Sequence, residues 1–185
     1  MAGAEALFQL MLQRRAAAAF DTALFATTAA DTDRVAGLLH GLTPIDTLAD
    51  LAVALEALAG ALADAGGSGQ IIIATDPKTA ATVQLRHPLL AWPVLASLHI
   101  PAGRIVAIDP TGLVFGTGGD LDITTTIAAI LHMSDEPVEI VSDVAAVADP
   151  VREIFQTDGI ALRLLVDLAF SARPGAVQYM DGGQW

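Results

Sequence analysis

Four histidines, His40, His87, His99 and His132, are the first candidates for acid–base or metal chemistry in this sequence. They lie far apart, and none falls in a His-x-x-x-His or His-x-Glu pair, so each reads as a loop or packing residue rather than a ligand. Asp120 and Asp122 have a spacing that, with backbone carbonyls, can hold a hard cation. Asp31 and Asp33 repeat it. The plainer reading of both pairs is loop carboxylates, and Asp120 with Asp122 stay as weak metal candidates. Gly66-Gly67-Ser68-Gly69 does not have the G-x-S-x-G order of a nucleophile elbow. Gly116-Thr117-Gly118-Gly119 starts like a dinucleotide loop, but its third glycine is misplaced and a strand, not a helix, follows. The chain has no cysteine, which excludes disulfides, zinc ribbons, iron–sulfur clusters and thiol catalysis. No catalytic residue, cofactor or metal is expected.

The elements that would position such groups read as follows. Ala4 to about Phe25 is a helix, rich in Ala, Leu, Met and Gln and free of Gly and Pro; its apolar residues run nearly all round, which predicts burial between partners. Asp31 to Pro44 is a turn-rich connector. Thr47 is placed to cap a second helix, with Asp50 three residues on, and Leu48, Leu51, Leu55, Leu58 and Leu62 form its stripe. Gly66-Gly67 stops it. Ile71 to Ala74 is a short strand buried on both faces. Asp76-Pro77 is an N-cap with proline at the first helical position, opening a helix to about Arg86.

Leu89 to Ser97 reads as irregular. Ile105 to Ile108 is a strand, Pro110 to Gly112 a turn, and Leu113 to Phe115 a returning strand. Ile123 to Leu131 and Val138 to Val141 are further strands. Ile160, Leu162, Leu164, Val166, Leu168, Phe170 and Ala172 alternate with Arg163, Asp167, Ser171 and Arg173, which predicts one long strand where about 5–6 residues is usual. Pro174-Gly175 turns it, and Ala176 to Met180 pairs back. The fold class is α+β, with helices early and sheet late. Leu55, Leu58, Ile72, Leu162, Leu164, Val166 and Phe170 are the expected core.

Composition narrows the function. Of 185 residues, 54% are hydrophobic and 16% charged, against roughly 25% charged in a typical soluble domain. Mean hydropathy is +0.56. Alanine fills 36 positions, so two accounts stand side by side: burial between subunits, or a biased alanine-rich genome. Net charge is −12, with Lys78 the single lysine. Such a chain is not expected to bind duplex DNA, which needs clustered Lys and Arg. Arg104 to Arg152 contains no basic residue between its ends but includes Asp109, Asp135, Glu136, Glu139, Asp143 and Asp149, a solvated acidic face. No charge-free apolar run reaches the ~18 residues of a membrane span, and no secretory leader is read at Met1 to Leu12. A soluble intracellular product without membrane contact is expected.

Beyond composition, the order of several segments resembles the tailed-phage major capsid proteins. Phe155-Gln156-Thr157-Asp158, then Ile160-Ala161-Leu162-Arg163, the long alternating strand, and Pro174-Gly175-Ala176-Val177-Gln178 look like the C-terminal end of that family. Ala36 to Gly41, Ile71 to Arg86, and Ile100-Pro101-Ala102-Gly103 with Ile105 to Asp109 are similar to upstream family units, in the same order. The resemblance implies a phage major capsid fold. Residues 1–30 and 124–185 would form a peripheral domain with long antiparallel strands, and 31–123 an axial domain. It implies no chemistry, a homo-oligomer that meets other capsid proteins, and a place in the virion after assembly in the host cytoplasm. Family members carry an N-arm, an extended loop and most of a spine helix before the point matching Met1, so a small oligomer rather than a closed shell is expected. An encapsulin-like compartment subunit is the alternative within the same fold. A small ligand-binding or enzyme module using the loop Gly116 to Asp122 is the alternative from another class.

Overall fold

A computed structural model of the chain describes residues 2–31, 34–118, 122–126, 130–132, 151–153, 161–165 and 168–185. The first helix, α1, spans Ala2–Leu24. After a connector that turns at Leu38–Gly41, helix α2 spans Leu51–Asp64. Its cap is Asp50, whose Oδ1 accepts from Ala52 N at 2.8 Å and Val53 N at 3.3 Å. The helix therefore starts later than the expected Thr47 cap. Thr47 donates its hydroxyl instead to the carbonyl of Asp181. Gly66, at φ +78°, closes α2: its N–H reaches Ala63 O, and Gly67 N–H reaches Leu62 O, both at 2.9 Å. This double closure satisfies helix-end carbonyls and needs a left-handed residue, which glycine adopts without strain.

Strand β1 (Ile72–Thr75) leads into α3 (Pro77–Arg86), capped by Asp76 with Pro77 at the first turn as the sequence predicts. Strand β2 (Val94–Ala96) follows, inside the stretch expected to be irregular. Strand β3 (Ile105–Ile108) ends in a single 3₁₀ turn, Pro110–Gly112. The next strands are β4 (Leu113–Thr117), β5 (Asp122–Thr126), β6 (Ile130–His132), β7 (Val151–Glu153), β8 (Ala161–Leu165), β9 (Leu168–Ala172) and β10 (Val177–Met180). The strand expected at Val138 to Val141 lies outside the described residues.

The main sheet has the order β10-β3-β1-β2. β1 runs parallel to β2 and antiparallel to β3, and β3 is antiparallel to β10. The fold is α+β with a mixed sheet, not helices followed by sheet: three of its strands come from mid-chain and the fourth from the C-terminal end. Two expectations are corrected here. β4 does not return along β3 but pairs with β9, Leu113 opposite Ala172. β10 does not pair back on β9 but joins β3, Val177 opposite Ile108. Sheet pairing thus joins a strand of the stretch expected to be peripheral to one of the stretch expected to be axial.

Within the stretch expected as one long strand, Ile160 to Ala172, the described residues form β8 and β9, while residues 160, 166 and 167 lie outside the described residues. β9 pairs with β4, and β8 pairs with β5, Asp122 opposite Leu165. β6 pairs with β7. The chain divides into two compact units, Met1–Thr117 with Leu168–Trp185, and Gly118–Asp167.

Alternation along the main sheet gives it two covered faces. Ile73, Ile105, Ala107 and Met180 face Leu55, Leu58 and Leu62 of α2, with Val83 of α3 and Trp185 in the same cluster. Ala74, Val106, Ile108, Val177 and Tyr179 face Leu24, Phe25, Leu38 and Leu39. Leu55 and Leu58 are buried; Ile72 and Phe170 are half-buried against the second cluster. Val166 lies outside the described residues, and for Leu162 and Leu164 the described feature is the backbone pairing of β8.

Candidate functional site

Three polar clusters sit in or against the core, and each ties distant segments together. Asp109 follows β3 and is 1% exposed. Its Oδ2 accepts from Ser68 N at 2.9 Å, and its Oδ1 from Ser68 Oγ at 2.8 Å, Thr111 N at 3.0 Å and Thr111 Oγ1 at 2.7 Å. Arg173 Nη2 approaches at 3.4 Å. The hydrogen bond from Ser68 N–H, with those from the Thr111 and Ser68 hydroxyls, holds this carboxyl far below the ordinary carboxylate range, against the opposing effect of burial. The loop after α2, the end of β3 and the turn before β10 meet here.

Arg104 makes the second cluster. Its Nε and Nη2 donate to the two carboxylate oxygens of Asp181 at 2.5 and 3.0 Å, and its Nη1 donates to Phe25 O at 3.3 Å. The guanidinium lies 5.5 Å from the Tyr179 ring centroid. Asp76 makes the third: its Oδ1 caps α3 through Lys78 N and Thr79 N, and its Oδ2 accepts from Gly103 N at 3.1 Å. Burial works against the Asp76 charge, but hydrogen bonds from Thr79, Gly103 and Lys78 outweigh it, so its pKa is lowered. Asp109 and Asp76 are acceptors already filled by their own fold, which is the arrangement of structural carboxylates and not of a general base awaiting a proton.

Two grooves stand out among the described residues. One, of about 240 Å³, lies between the Ala36–Leu42 turn and the β9–β10 turn, with His40 and Arg173 at its wall. The other, of about 220 Å³, lies beside β2 and is lined by Val83, His87, Leu90, Trp92 and Val94 among others.

The surface carries more apolar bulk than the grooves do. On α1, Leu7, Phe8, Leu10 and Met11 are 42–56% exposed. The C-terminal end of α1 is anchored through Leu24, with Phe25 just beyond it, and through Phe20, whose ring meets Phe170 edge-on at 6.3 Å. On the segment that forms the β2 edge, Leu85, Leu89, Leu95 and Leu98 are 82, 96, 55 and 85% exposed. On β4, Val114 and Phe115 are exposed as well. Singly exposed leucines are ordinary, whereas a contiguous apolar patch is what sets a contact surface apart.

Among the described residues, no group of three or more His, Asp or Glu is placed to hold a metal ion. His40 is exposed in a turn, His87 ends α3, His99 is exposed after β2, and His132 ends β6. Asp122 opens β5, while Asp120 and Asp33 lie outside the described residues. Among the described residues, no helix is long and apolar enough to cross a membrane. The exposed leucines at 85, 89, 95 and 98 escaped the sequence reading, since a leucine carries no sign of which way it faces. One available signal was charge: from Pro77 to Ile108 there is no acidic residue at all.

The chain matches no protein-family model, and no curated protein matches it at the level of sequence. Among solved structures, it is similar to the virus-like particle from Pyrococcus furiosus, with 15% identity and a TM-score of 0.44. The likeness covers 75% of this chain and 53% of that one, so the chain spans about half the length of that structure.

Proposed function

We propose that this chain is a structural subunit whose work is self-association, a major capsid subunit of the tailed-phage kind or a part of one. The observation that carries the reading is the exposed apolar surface on α1 and along the β2 edge, on a chain with 16% charged residues. Fully burying one Leu or Phe side chain is worth about 1.5–3 kcal/mol, so eight such residues supply a substantial drive even after association costs. The ordered motifs from Ala36 to Gln178 give the capsid form of the proposal. In it, 31–123 is the axial part and 1–30 with 124–185 the peripheral part, β10 being the strand that joins them. No residue does chemistry, and the place of work is the shell, reached from the host cytoplasm.

Size-exclusion chromatography with light scattering tests this. A concentration-dependent oligomer is expected, and a strict monomer at millimolar concentration overturns the reading. Electron microscopy of the assembled fraction then separates rings from closed particles, and co-purifying protein cargo inside particles would favour an encapsulin-like compartment.

A further inference from the structure

The four-stranded sheet has unlike ends. At one end is β2, paired on one side only among the described residues. The segment at this end, residues 77–99, made of α3, β2 and their connections, holds Lys78 and Arg86 and no acidic residue. Lys78, Arg86 and His99 are exposed on this segment, as are its four leucines at 85, 89, 95 and 98. Among the described residues, carboxylates beside this end are already engaged: Asp76 caps α3, and Asp21 of α1 accepts from Ser97 Oγ at 2.6 Å.

At the other end are β10 and α2, which packs over β10 and β3. From Arg34 to Lys78 there is no intervening basic residue, and Asp46, Asp50, Glu56 and Asp64 are all exposed. Val53 stands among them, 49% exposed. Two basic side chains lie at this end among the described residues: Arg173, which donates to the Ala65 and Gly66 carbonyls at the foot of α2, and the exposed His40, which shares a groove with it.

Resting on the self-association reading above, we infer that two copies meet head to tail, the basic leucine-bearing β2 end of one against the acidic α2 end of the next. Charge decides the orientation. Two β2 ends face to face would set Lys78, Arg86 and His99 against their own copies, and two α2 ends would set carboxylate against carboxylate. Only the unlike pairing matches opposite signs while it covers the leucines, and like-charge juxtaposition is what excludes wrong partners at interfaces. A contact between two different surfaces of the same chain leaves a free end of each kind, and it propagates into a ring where the rotation closes and into a filament where it does not.

The test uses two double variants of the full chain, Lys78→Glu/Arg86→Glu and Asp46→Lys/Glu56→Lys. All four positions are exposed, and circular dichroism with a thermal melt confirms that each variant folds. Each alone should shift toward monomer on light scattering, with at least a tenfold weaker association. Mixed in equal amounts they should reassemble, because each altered end finds its complement on the other variant and the unaltered ends find each other. The wild-type oligomer should also loosen between 0.1 and 1 M salt, where the screening length falls from about 10 to about 3 Å. Variants that assemble like wild type, or a mixture that does not recover, overturn the head-to-tail contact while leaving self-association standing. Wild-type binding to a duplex DNA probe that is lost in Lys78→Glu/Arg86→Glu, with oligomer size unchanged, assigns the basic end to nucleic acid and overturns it too. A monomeric wild type removes both readings together.

Discussion

Asp109 concentrates the fold's dependence on one side chain. Its carboxylate takes four short hydrogen bonds from Ser68 and Thr111, and these favour the charged form. The folded pKa is therefore depressed, so its stabilisation is fully present above about pH 4, the unfolded carboxylate value, and is lost as pH falls. Asp76, shifted in the same direction, adds to this. Thermal melts should hold nearly constant from pH 7 to 5 and drop below pH 4. Asp109→Asn should lower the melting temperature at pH 7 and flatten that drop; an unchanged acid profile would move its cause elsewhere. Arg104 gives a second prediction. Lysine keeps the charge but cannot reach both Asp181 oxygens and Phe25 O at once, so Arg104→Lys should cost about 1–3 kcal/mol, read by denaturant unfolding. These two clusters were not visible in the sequence. Apart from Thr111, two positions from Asp109, the hydrogen-bond partners lie 41 to 79 positions away, and no local spacing announces such a meeting.

Elements divide into those set by neighbours in sequence and those set by partners in space. α3 was legible to the residue, because Asp76 and Pro77 act on the next turn of the same chain. α2 was legible in its stripe but not its start: Thr47 and Asp50 are both capping types, and the choice fell to Asp181, which takes the Thr47 hydroxyl from 134 positions away. β2 was missed since three residues between Pro93 and Ser97 show no period; pairing with β1 makes it a strand. The alternation from Ile160 to Ala172 correctly marked extended chain, but period 2 says nothing of which strand pairs with which part. Asp50→Ala should therefore cost about 1 kcal/mol as a lost cap, and Thr47→Ala should leave the start of α2 in place. Leu58→Ala, fully buried against Ile73 and Ile105, should cost about 2–5 kcal/mol. Denaturant midpoints order the three, and a Leu58 effect no larger than the cap's would mean that α2 does not seal this face of the sheet.

At the scale of the whole molecule, charge and apolar surface act in opposite directions. A net charge of −12 repels polyanions, and duplex DNA should not bind at physiological salt; micromolar, salt-sensitive binding in a fluorescence titration would contradict this. The same charge is sparse, however, and leaves α1 with large apolar side chains in water. If those side chains serve association, they contribute nothing to the folded protomer. Phe8 and Met11 are 56% and 55% exposed, and surface substitutions away from core features change stability by about 0.5 kcal/mol or less. Phe8→Gln/Met11→Gln should therefore melt within a degree or two of the wild type when both are dilute. At high concentration the variant should associate less, since two large apolar side chains have been withdrawn from the contact. The two measurements separate the possibilities. Lower stability in the dilute variant would show that α1 packs on its own protomer through these residues. Unchanged stability with unchanged assembly would show that α1 lies outside the contact, and that the β2 and α2 ends carry association by themselves.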